Sequence, residues 1–446
     1  MSKKITLVGA GLVGSLLSIY LKKRGYTVSV FERRSDMRKN RMSAGKSINL
    51  ALSDRGWRGL AGVGIADEIK KVAIAMKGRM IHHLDSSLVF QPYGKEEQAI
   101  YSVSRGGLNC VLMDLAEKSG VDMFFNERCT NIDLKNTTAF FENNETKKIT
   151  EIKSDRIISS DGAFSAGRLQ MQLSTDKFDY QQFYLKHGYK ELTIPPTADG
   201  KFAMEEHALH IWPRGEFMLI ALPNMDKSFT CTLFFPFEGE KSFAALDTKE
   251  KMFDFFNKTF PDAVQLMPTL EHDYFANPVS SLVTVKCFPW VHEDKLALIG
   301  DAAHAIVPFY GQGMNCGFED CYVLDKLIDK HHENWEKIFA EYQELRKPDG
   351  DAIADLAVAN FIEMRDRTAD PKFLLQKKIE ARFSQKYPDK WIPLYTMVTY
   401  SPDIRYSKAL REGMRQEAIM QKIMALPNIE KIWESEEVEK AILSEL

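Results

Sequence analysis

KITLVGAGLVGSLLSIYLKKRGYTVSVFE, residues 4–32, is the stretch from which the fold can be read. Lys4 to Val8 is a short apolar run of the kind that forms a buried strand, and residues 12–24 have helical patterning that stops at Gly25. Residues 27–32 form a second strand, so the stretch is a β-α-β unit of about 30 residues, the length a parallel crossover needs. Gly9, Gly11 and Gly14 give G-x-G-x-x-G at the turn. Gly9 permits the tight bend, Gly11 lets a pyrophosphate approach the backbone, and Gly14 lets helix and strand pack closely. The helix N-terminus at Leu12 and Val13 then offers N–H groups and a positive dipole end to phosphates. Glu32 ends the second strand, placed to accept ribose hydroxyls and to repel a 2′-phosphate. The motif predicts a bound dinucleotide without separating a flavin from a nicotinamide. The charge-free run from Ile5 to Leu21 has the outline of a signal peptide, but the glycines interrupt it and no small-residue cleavage site follows.

A second corner lies about 290 residues later. Leu298-Ile299-Gly300-Asp301-Ala302-Ala303-His304 is followed by Pro308-Phe309-Tyr310-Gly311-Gln312-Gly313-Met314-Asn315. A strand runs out at Gly300, Asp301 can bond a ribityl hydroxyl, and a glycine-bounded loop feeds a helix. The N–H groups at 313–315 can face an anionic ring edge by the same helix-terminus logic. A buried strand with an N-capping aspartate would read similarly. A third element, Asp161-Gly162-Ala163-Phe164-Ser165-Ala166-Gly167-Arg168, is D-G-x-x-S-x-x-R; its plainer reading is an Asp-Gly turn beside a solvated arginine.

The 446 residues exceed one small core and suggest two or three domains. Strands are expected at 155–159, 189–194, 207–212, 217–222, 228–237 and 295–299, with a hairpin at Pro213-Arg214-Gly215. Helices are expected at 107–119 and 313–330, and helical periodicity dominates beyond 335, broken at Pro388, Pro393 and Pro402. The expected fold is α/β. A Rossmann-like domain at 1–175 and 285–345 carries an inserted, mostly antiparallel sheet at 176–284, to which 79–98 contributes, and a helical region follows at 346–446. An amphipathic helix at 406–425, with Leu410, Met414, Ile419, Ile423 and Met424 apolar, could cover the site, pair subunits or touch a membrane.

The net charge of −3, with no basic block, gives a nucleic-acid partner no electrostatic support. The six cysteines form no C-x-x-C pair, so no metal site is expected, and scattered thiols suit a reducing cytoplasm. No run reaches the roughly 18 apolar residues of a membrane span. The expected quaternary state is monomer or homodimer.

The ordered set G-x-G-x-x-G, D-G and G-D-A-A-H…P-x-x-G-Q-G-M-N resembles the single-component FAD-dependent aromatic hydroxylases. Ser159-Ser160 before D-G departs from that family's usual small residue and alanine. The resemblance implies tightly bound FAD, with NADPH and O2 as co-substrates and no second dinucleotide fold. It implies a flavin C4a-hydroperoxide that hydroxylates an electron-rich ring. The cofactor residues it implies at the first corner are Gly9, Gly11, Leu12, Val13, Gly14, Glu32 and Arg33. Those between the corners are Ala51, Arg105, Cys129 and Asp161. At the second corner they are Asp301, Gly311, Gly313, Met314 and Asn315.

Shorter stretches narrow the likeness to the branch that hydroxylates L-kynurenine at ring position 3. They are FERR (31–34), GKSINLAL (45–52), MKGRM (76–80), QPYG (91–94), HGYKEL (187–192), LHIWP (209–213), ALPN (221–224), NFIEM (360–364) and IPLYTMVT (392–399). By that resemblance Arg79, Tyr93, Asn360 and Tyr395 hold the amino-acid end of the substrate. On composition alone Arg79 reads as a surface arginine, Tyr93 as a turn aromatic and Asn360 as a solvated helix residue. Leu209, Met218, Ile220, Leu222 and Phe234 would roof the ring, or equally form sheet core, with Phe309 and Met364 beside them. No residue is assigned as acid or base; His304 is expected to support structure. The alternatives are a hydroxylase of another aromatic acid or phenol, a flavin reductase or halogenase (for which the lysine and tryptophan-rich motif are missing), and a non-catalytic flavoprotein scaffold.

Overall fold

A computed structural model describes residues 3–39, 48–93, 98–364 and 370–446. Residues 45–47 of the GKSINLAL stretch, Gly94, and 95–97 of the contributing 79–98 segment lie outside the described residues.

The opening stretch folds as read: β1 (Lys4–Val8), helix α1 (Leu12–Lys23) and β2 (Thr27–Glu32). β3 (Arg156–Ser159) pairs parallel with β1, placing Leu7 opposite Ile158. β4 (Leu296–Leu298) pairs parallel with β3. With edge strands Val291–His292 and Asp122–Phe125, the six-stranded order is 291–292, β4, β3, β1, β2, 122–125. Ile5, Leu7, Val28, Val30, Ile157 and Ile158 are all buried, as a parallel sheet covered on both faces requires. Leu16, Leu17 and Leu21 of α1 share one core cluster with Leu324 and Ile328.

The second sheet has seven strands. In order they are Ser280–Phe288, Asp179–Ile194, Phe229–Pro236, Met218–Pro223, Ala208–Pro213, Gly78–His82 and Leu88–Pro92. All neighbours are antiparallel except Ala208–Pro213 and Gly78–His82, whose parallel register sets Leu209 opposite Arg79. A hairpin from early in the chain thus completes a sheet built a hundred residues later.

Period-two alternation assigns the two faces of this sheet. Trp212, Leu219, Leu233 and Phe235 pack against Met252, Phe256 and Phe260. Those three come from Lys249–Thr259 and the turn after it, part of a helical excursion the sequence reading missed; Pro261–Val264 and Leu270–Ala276 complete it. Met218 and Phe234 point the other way and join Phe309 and Tyr310. The strand expected at 189–194 runs from Asp179 to Ile194. Its first half hid in the sequence because Phe183 and Tyr184 face solvent, and because the register shifts between Tyr184 and Gly188.

Helix α2 (Asp54–Gly62) lies against α3 (Gly313–His331), and α4 (Trp335–Ile362) carries Pro348 within it. The domain lines drawn at 284/285 and 345/346 fall inside the Ser280–Phe288 strand and α4 respectively, so continuous elements cross both. A short helix α5 (Leu394–Thr399) precedes α6 (Tyr406–Met424). The buried face of α6 is spent inside the chain. Tyr406 and Ala409 join the Phe309 cluster, while Ile419, Met420 and Ile423 pack on Ile379, Phe383 and Trp391. Met414, read as part of the apolar stripe, is instead 67% exposed, because the helical phase puts it opposite Ile419 and Ile423. Among the described residues no helix is long and apolar enough to cross a membrane.

Candidate functional site

The three motifs meet at the ends of adjacent strands. Gly9 bends with φ +98° against Ser160 and Asp161; a Cβ there would lie 2.8 Å from the Ser160 carbonyl. A Cβ on Gly14 would lie 2.1 Å from the Gly9 oxygen. The first corner touches the second through Val13, which fills the space beside Gly300 and Gly317; Cβ atoms there would approach it to 3.0 and 2.5 Å. The D-G motif props both. Ser165 caps its helix at Arg168, and Asp161 Oδ2 accepts from Ala166 N at 2.7 Å. Arg168 is buried, not solvated, and donates to the Ala302 carbonyl at 2.8 Å. Cys129 sits close enough to Asp161 for that carboxylate to add to the burial that pushes its thiol up to about 12.

Two clefts open along this line. The first, about 260 Å³, is lined by Ala10, Glu32, Arg34, Asn109 and Phe125 among others. The second, about 500 Å³, runs from Gly11 and Leu12 past Arg105 to Tyr189, Glu191 and Ser280. Arg34, Met37 and Asn109 line both, so the clefts form one trench. Burial of Glu32 works against its charge. The bonds from Arg34 and from Ala10 N (2.9 Å) outweigh it and hold the carboxyl below the ordinary range.

The structure puts Arg34 in the trench where the sequence reading had put Arg33. Arg33 is exposed and lines neither cleft, whereas Arg34 and Ser35 both line the first. Asn109, unmarked in the sequence, donates to Ala10 O at 3.1 Å and leaves Oδ1 buried without a partner. Glu191, also missed, faces Arg105, and burial pushes its carboxyl up to about 7.

A flavin dinucleotide fits what is present. Helices α1 and α3 both open without a side-chain cap, leaving their first N–H groups for a ligand. Asn109 Oδ1 and Asp161 Oδ1 are buried acceptors with no protein donor. Asp301 follows Gly300 (φ +60°) and is accessible to solvent, yet the protein packed around its carboxyl raises its pKa. Asn315 has its backbone N–H to offer a ligand. Its side chain is fully used, accepting from Ser53 N at 2.9 Å and donating to Ala51 O at 2.8 Å and Gly311 O at 2.7 Å. Ala51 and Gly311 are thereby held together.

The other predicted residues gather where the seven-stranded sheet meets Phe309. The Arg79 guanidinium lies 4.9 Å from the Tyr395 ring and 5.6 Å from that of Tyr93. Tyr395 is sandwiched between Tyr93 (5.5 Å) and Tyr310 (5.7 Å). Arg79 Nε and the Tyr93 hydroxyl are buried without partners. Burial opposes Arg79's charge, but the neighbouring phenols and Glu363 raise its pKa overall. Asn360 is buried, not solvated, and donates to the Phe309 carbonyl at 2.7 Å. Leu209 and Ile220 belong both to the cluster of Met218, Phe234, Phe309 and Met364 and to that of Leu222 and Tyr400. Phe309 packs on Phe361 at 4.1 Å and Phe234 at 4.8 Å. Tyr310 and Tyr400 were not singled out in the sequence, although both sit inside or next to motifs quoted for other residues.

His304 lies behind the site. It bonds Asp320 at 2.6 Å, and although burial opposes its charge, Asp320 carries its pKa well above the ordinary value. His304, Cys316 and Asp320 converge within 4.8 Å, but Arg346 bonds Asp320 at 2.7 Å and lies 3.3 Å from the Cys316 sulfur, a cation where a metal would have to sit.

Residues 3–357 match the family model described as FAD binding domain. The chain is 54% identical to "Kynurenine 3-monooxygenase" of Flavobacterium johnsoniae over 99% of its length and 98% of the relative's. It is 53% identical to the protein of that name in Flavobacterium psychrophilum, with the same coverage. Its fold matches the tetrameric form of 2-methyl-3-hydroxypyridine-5-carboxylic acid oxygenase with TM-score 0.64 at 19% identity, covering 88% of this chain and 98% of the other. A glycine-cornered trench fitted for FAD, an arginine beside two stacked phenols, and likeness along the whole chain agree on one family: it belongs to the kynurenine 3-monooxygenases, FAD-dependent aromatic monooxygenases.

Proposed function

We propose that the chain hydroxylates L-kynurenine at ring position 3, consuming NADPH and O2 and releasing NADP⁺ and water. The observation that carries this beyond FAD chemistry in general is Arg79. It is a cation beside the stacked rings of Tyr93 and Tyr395, next to the apolar cluster that contains Phe309. A guanidinium with an unpartnered N–H suits the carboxylate of an amino acid, and the phenols supply directional bonds around it. Leu209, Ile220 and Leu222 then take the ring and keep water away, with Met218, Phe234 and Phe309 behind them. Asn360 acts by holding the Phe309 turn.

FAD, when bound, supplies the redox and oxygen-transfer chemistry. Glu32 and Asn109 would hold its adenosine end, the α1 N-terminus its pyrophosphate, Asp301 its ribityl chain, and the N–H groups of Gly313 to Asn315 the pyrimidine edge of its ring. The amino group of the substrate activates its own ring, so we assign no protein base. We place the enzyme in the cytoplasm, where six unpaired thiols are at home.

The test is NADPH oxidation by the flavin-loaded protein with kynurenine, benzoates and phenols in turn, with product identified by mass and retention time. Only kynurenine should both stimulate oxidation and gain one oxygen. Stimulation by a phenol and none by kynurenine would give the chain to another substrate.

A further inference from the structure

We infer that Arg55 is a positioning residue for the hydroxylation: it fixes the wall of the ring pocket that carries Tyr395 and Tyr400, and it registers that wall against the helix whose N-terminus faces the flavin site. The inference rests on the proposed reaction and extends it to a side chain that touches neither substrate nor cofactor.

Arg55 lies on α2 and is completely buried. Helix α5, which begins with Leu394 and Tyr395, has only six residues, so its last carbonyls cannot be satisfied within it. Arg55 satisfies them. Nε donates to Val398 O at 2.8 Å, and one terminal nitrogen donates to Met397 O at 3.1 Å, to Ser401 O at 3.3 Å and to Ile404 O. The other donates to Pro402 O at 3.4 Å and to Glu319 at 2.8 Å. The guanidinium plane rests on the Tyr406 ring, 3.9 Å away. One side chain therefore ties the backbone on both sides of Tyr400, starting two residues beyond Tyr395.

What that segment carries makes its position matter. The Tyr400 ring lies 6.1 Å from Tyr395 and 6.4 Å from Tyr93. The Tyr400 hydroxyl and Thr399 Oγ1 are buried with no protein partner. A drift of this turn would change which phenols surround Arg79 without removing any of them.

The far end of the link is equally firm. Glu319 lies on α3, one turn beyond Asn315, and also takes Arg58 at 2.6 Å and Arg346 at 2.8 Å. Helix α2 packs closely on α3 at two glycines. A Cβ on Gly56 would meet Asn315 Oδ1 at 2.3 Å, and one on Gly59 would meet the Phe318 carbonyl at 2.8 Å. A buried charge is a poor way to add stability, since apolar packing of equal volume often does as well. A planar fork with five donors is a good way to hold several carbonyls in one arrangement.

Arg55→Lys keeps the charge and loses the fork. In the FAD-loaded enzyme we expect KM for kynurenine to rise on the order of tenfold, with FAD retained as in the wild type. We also expect a larger share of the NADPH oxidised to end as hydrogen peroxide instead of product. If the variant melts earlier but keeps wild-type KM and the wild-type product-to-NADPH ratio, Arg55 only stabilises the fold and the inference is overturned. Should Arg55→Lys not fold, hydrogen exchange on the wild-type holoenzyme decides. Kynurenine should protect amides in 394–406 and in 315–321 together; protection confined to the first segment overturns the link. Wild-type turnover is measured alongside. Its absence would defeat the proposed reaction, whereas its presence with an indifferent Arg55→Lys would defeat only the role of Arg55.

Discussion

Replacing Arg79 by alanine separates the substrate site from the cofactor site. The guanidinium lies beside the stacked rings of Tyr93 and Tyr395 and has a buried N–H without a protein partner, so a substrate carboxylate would be its natural counter-ion. Truncation leaves that carboxylate buried and unpaired, which costs about 2–5 kcal/mol in comparable settings. Taking about 3 kcal/mol, kynurenine affinity should fall roughly 150-fold. Arg79 lines neither cleft of the FAD trench, so FAD affinity should stay within about twofold. Arg79→Lys should fall between the two, since an ammonium supplies charge without the bidentate fork. Kynurenine titration of the flavin absorbance gives the first constant, and FAD titration of the stripped protein by fluorescence quenching gives the second. Losses of similar size in both, or a kynurenine constant within threefold of wild type, would refute the assignment. A thermal melt is the control, because two cation–ring contacts are lost as well.

Gly14→Ala should give protein with little or no FAD, since its Cβ would sit 2.1 Å from the Gly9 oxygen and force the phosphate turn open; overpacking of this kind costs about 1–3 kcal/mol, and a normal flavin content on purification would contradict it. Glu191→Gln should stabilise the flavin-free protein above pH 7. The Glu191 carboxyl is raised from 4.5 to about 7 in the fold, so the folded state holds its proton longer than the unfolded one and loses stability as pH climbs through that window. With a discount for its access to the cleft the gain is about 1–2 kcal/mol, read from urea unfolding at pH 5 and pH 8; equal curves for variant and wild type at both pH values would contradict the assignment. Thiol reagents at pH 8 should react slowly with the native protein and fast with six thiols after unfolding, because burial raises every cysteine above its ordinary pKa; one fast native thiol would show that a cysteine is more accessible than its packing implies.

What the sequence made legible was local. The glycine turn, the strands around it and the Gly300 corner are each written in a few consecutive residues, and strict hydrophobic patterning placed them to within a residue or two. The even set 218, 220 and 222 shares one face of the second sheet, as period-two spacing has it, while 219 and 221 are buried on the other. Arg79, Asn360 and Arg168 were different. Composition alone puts an arginine or asparagine on the surface, and what draws these three inward, Asn360 and Arg168 to full burial and Arg79 to half, is a partner far along the chain: Tyr395 for Arg79, the Phe309 carbonyl for Asn360, the Ala302 carbonyl for Arg168. Asn109 failed for the same reason. It is one polar residue in an ordinary helix until β1 brings the Ala10 carbonyl to it. The helices at 249–276 were missed because their apolar residues cover a sheet face whose existence had to be known first.

The charges of this site have been moved one layer back. Helix α1 presents glycine and bare backbone toward the trench, α3 opens on glycine without a side-chain cap, and the proposed ring pocket is walled by aliphatic and aromatic groups with Arg79 as its cation. On α3 stand Glu319 and Asp320, and against them Arg55, Arg346 and Asp349, all buried and linked by ion pairs. The division has a physical reason. A reaction that must exclude water cannot place solvated charges beside its ring, while glycine-rich turns supply little packing of their own to keep them still. Buried, fully paired ions resist displacement because breaking any one pair strands another charge, at about 3–5 kcal/mol. A conservative change in that layer should therefore leave every contact to FAD and kynurenine chemically intact and alter only where those contacts stand. Its signature is uncoupled NADPH consumption, in contrast to the loss of affinity expected from Arg79→Ala.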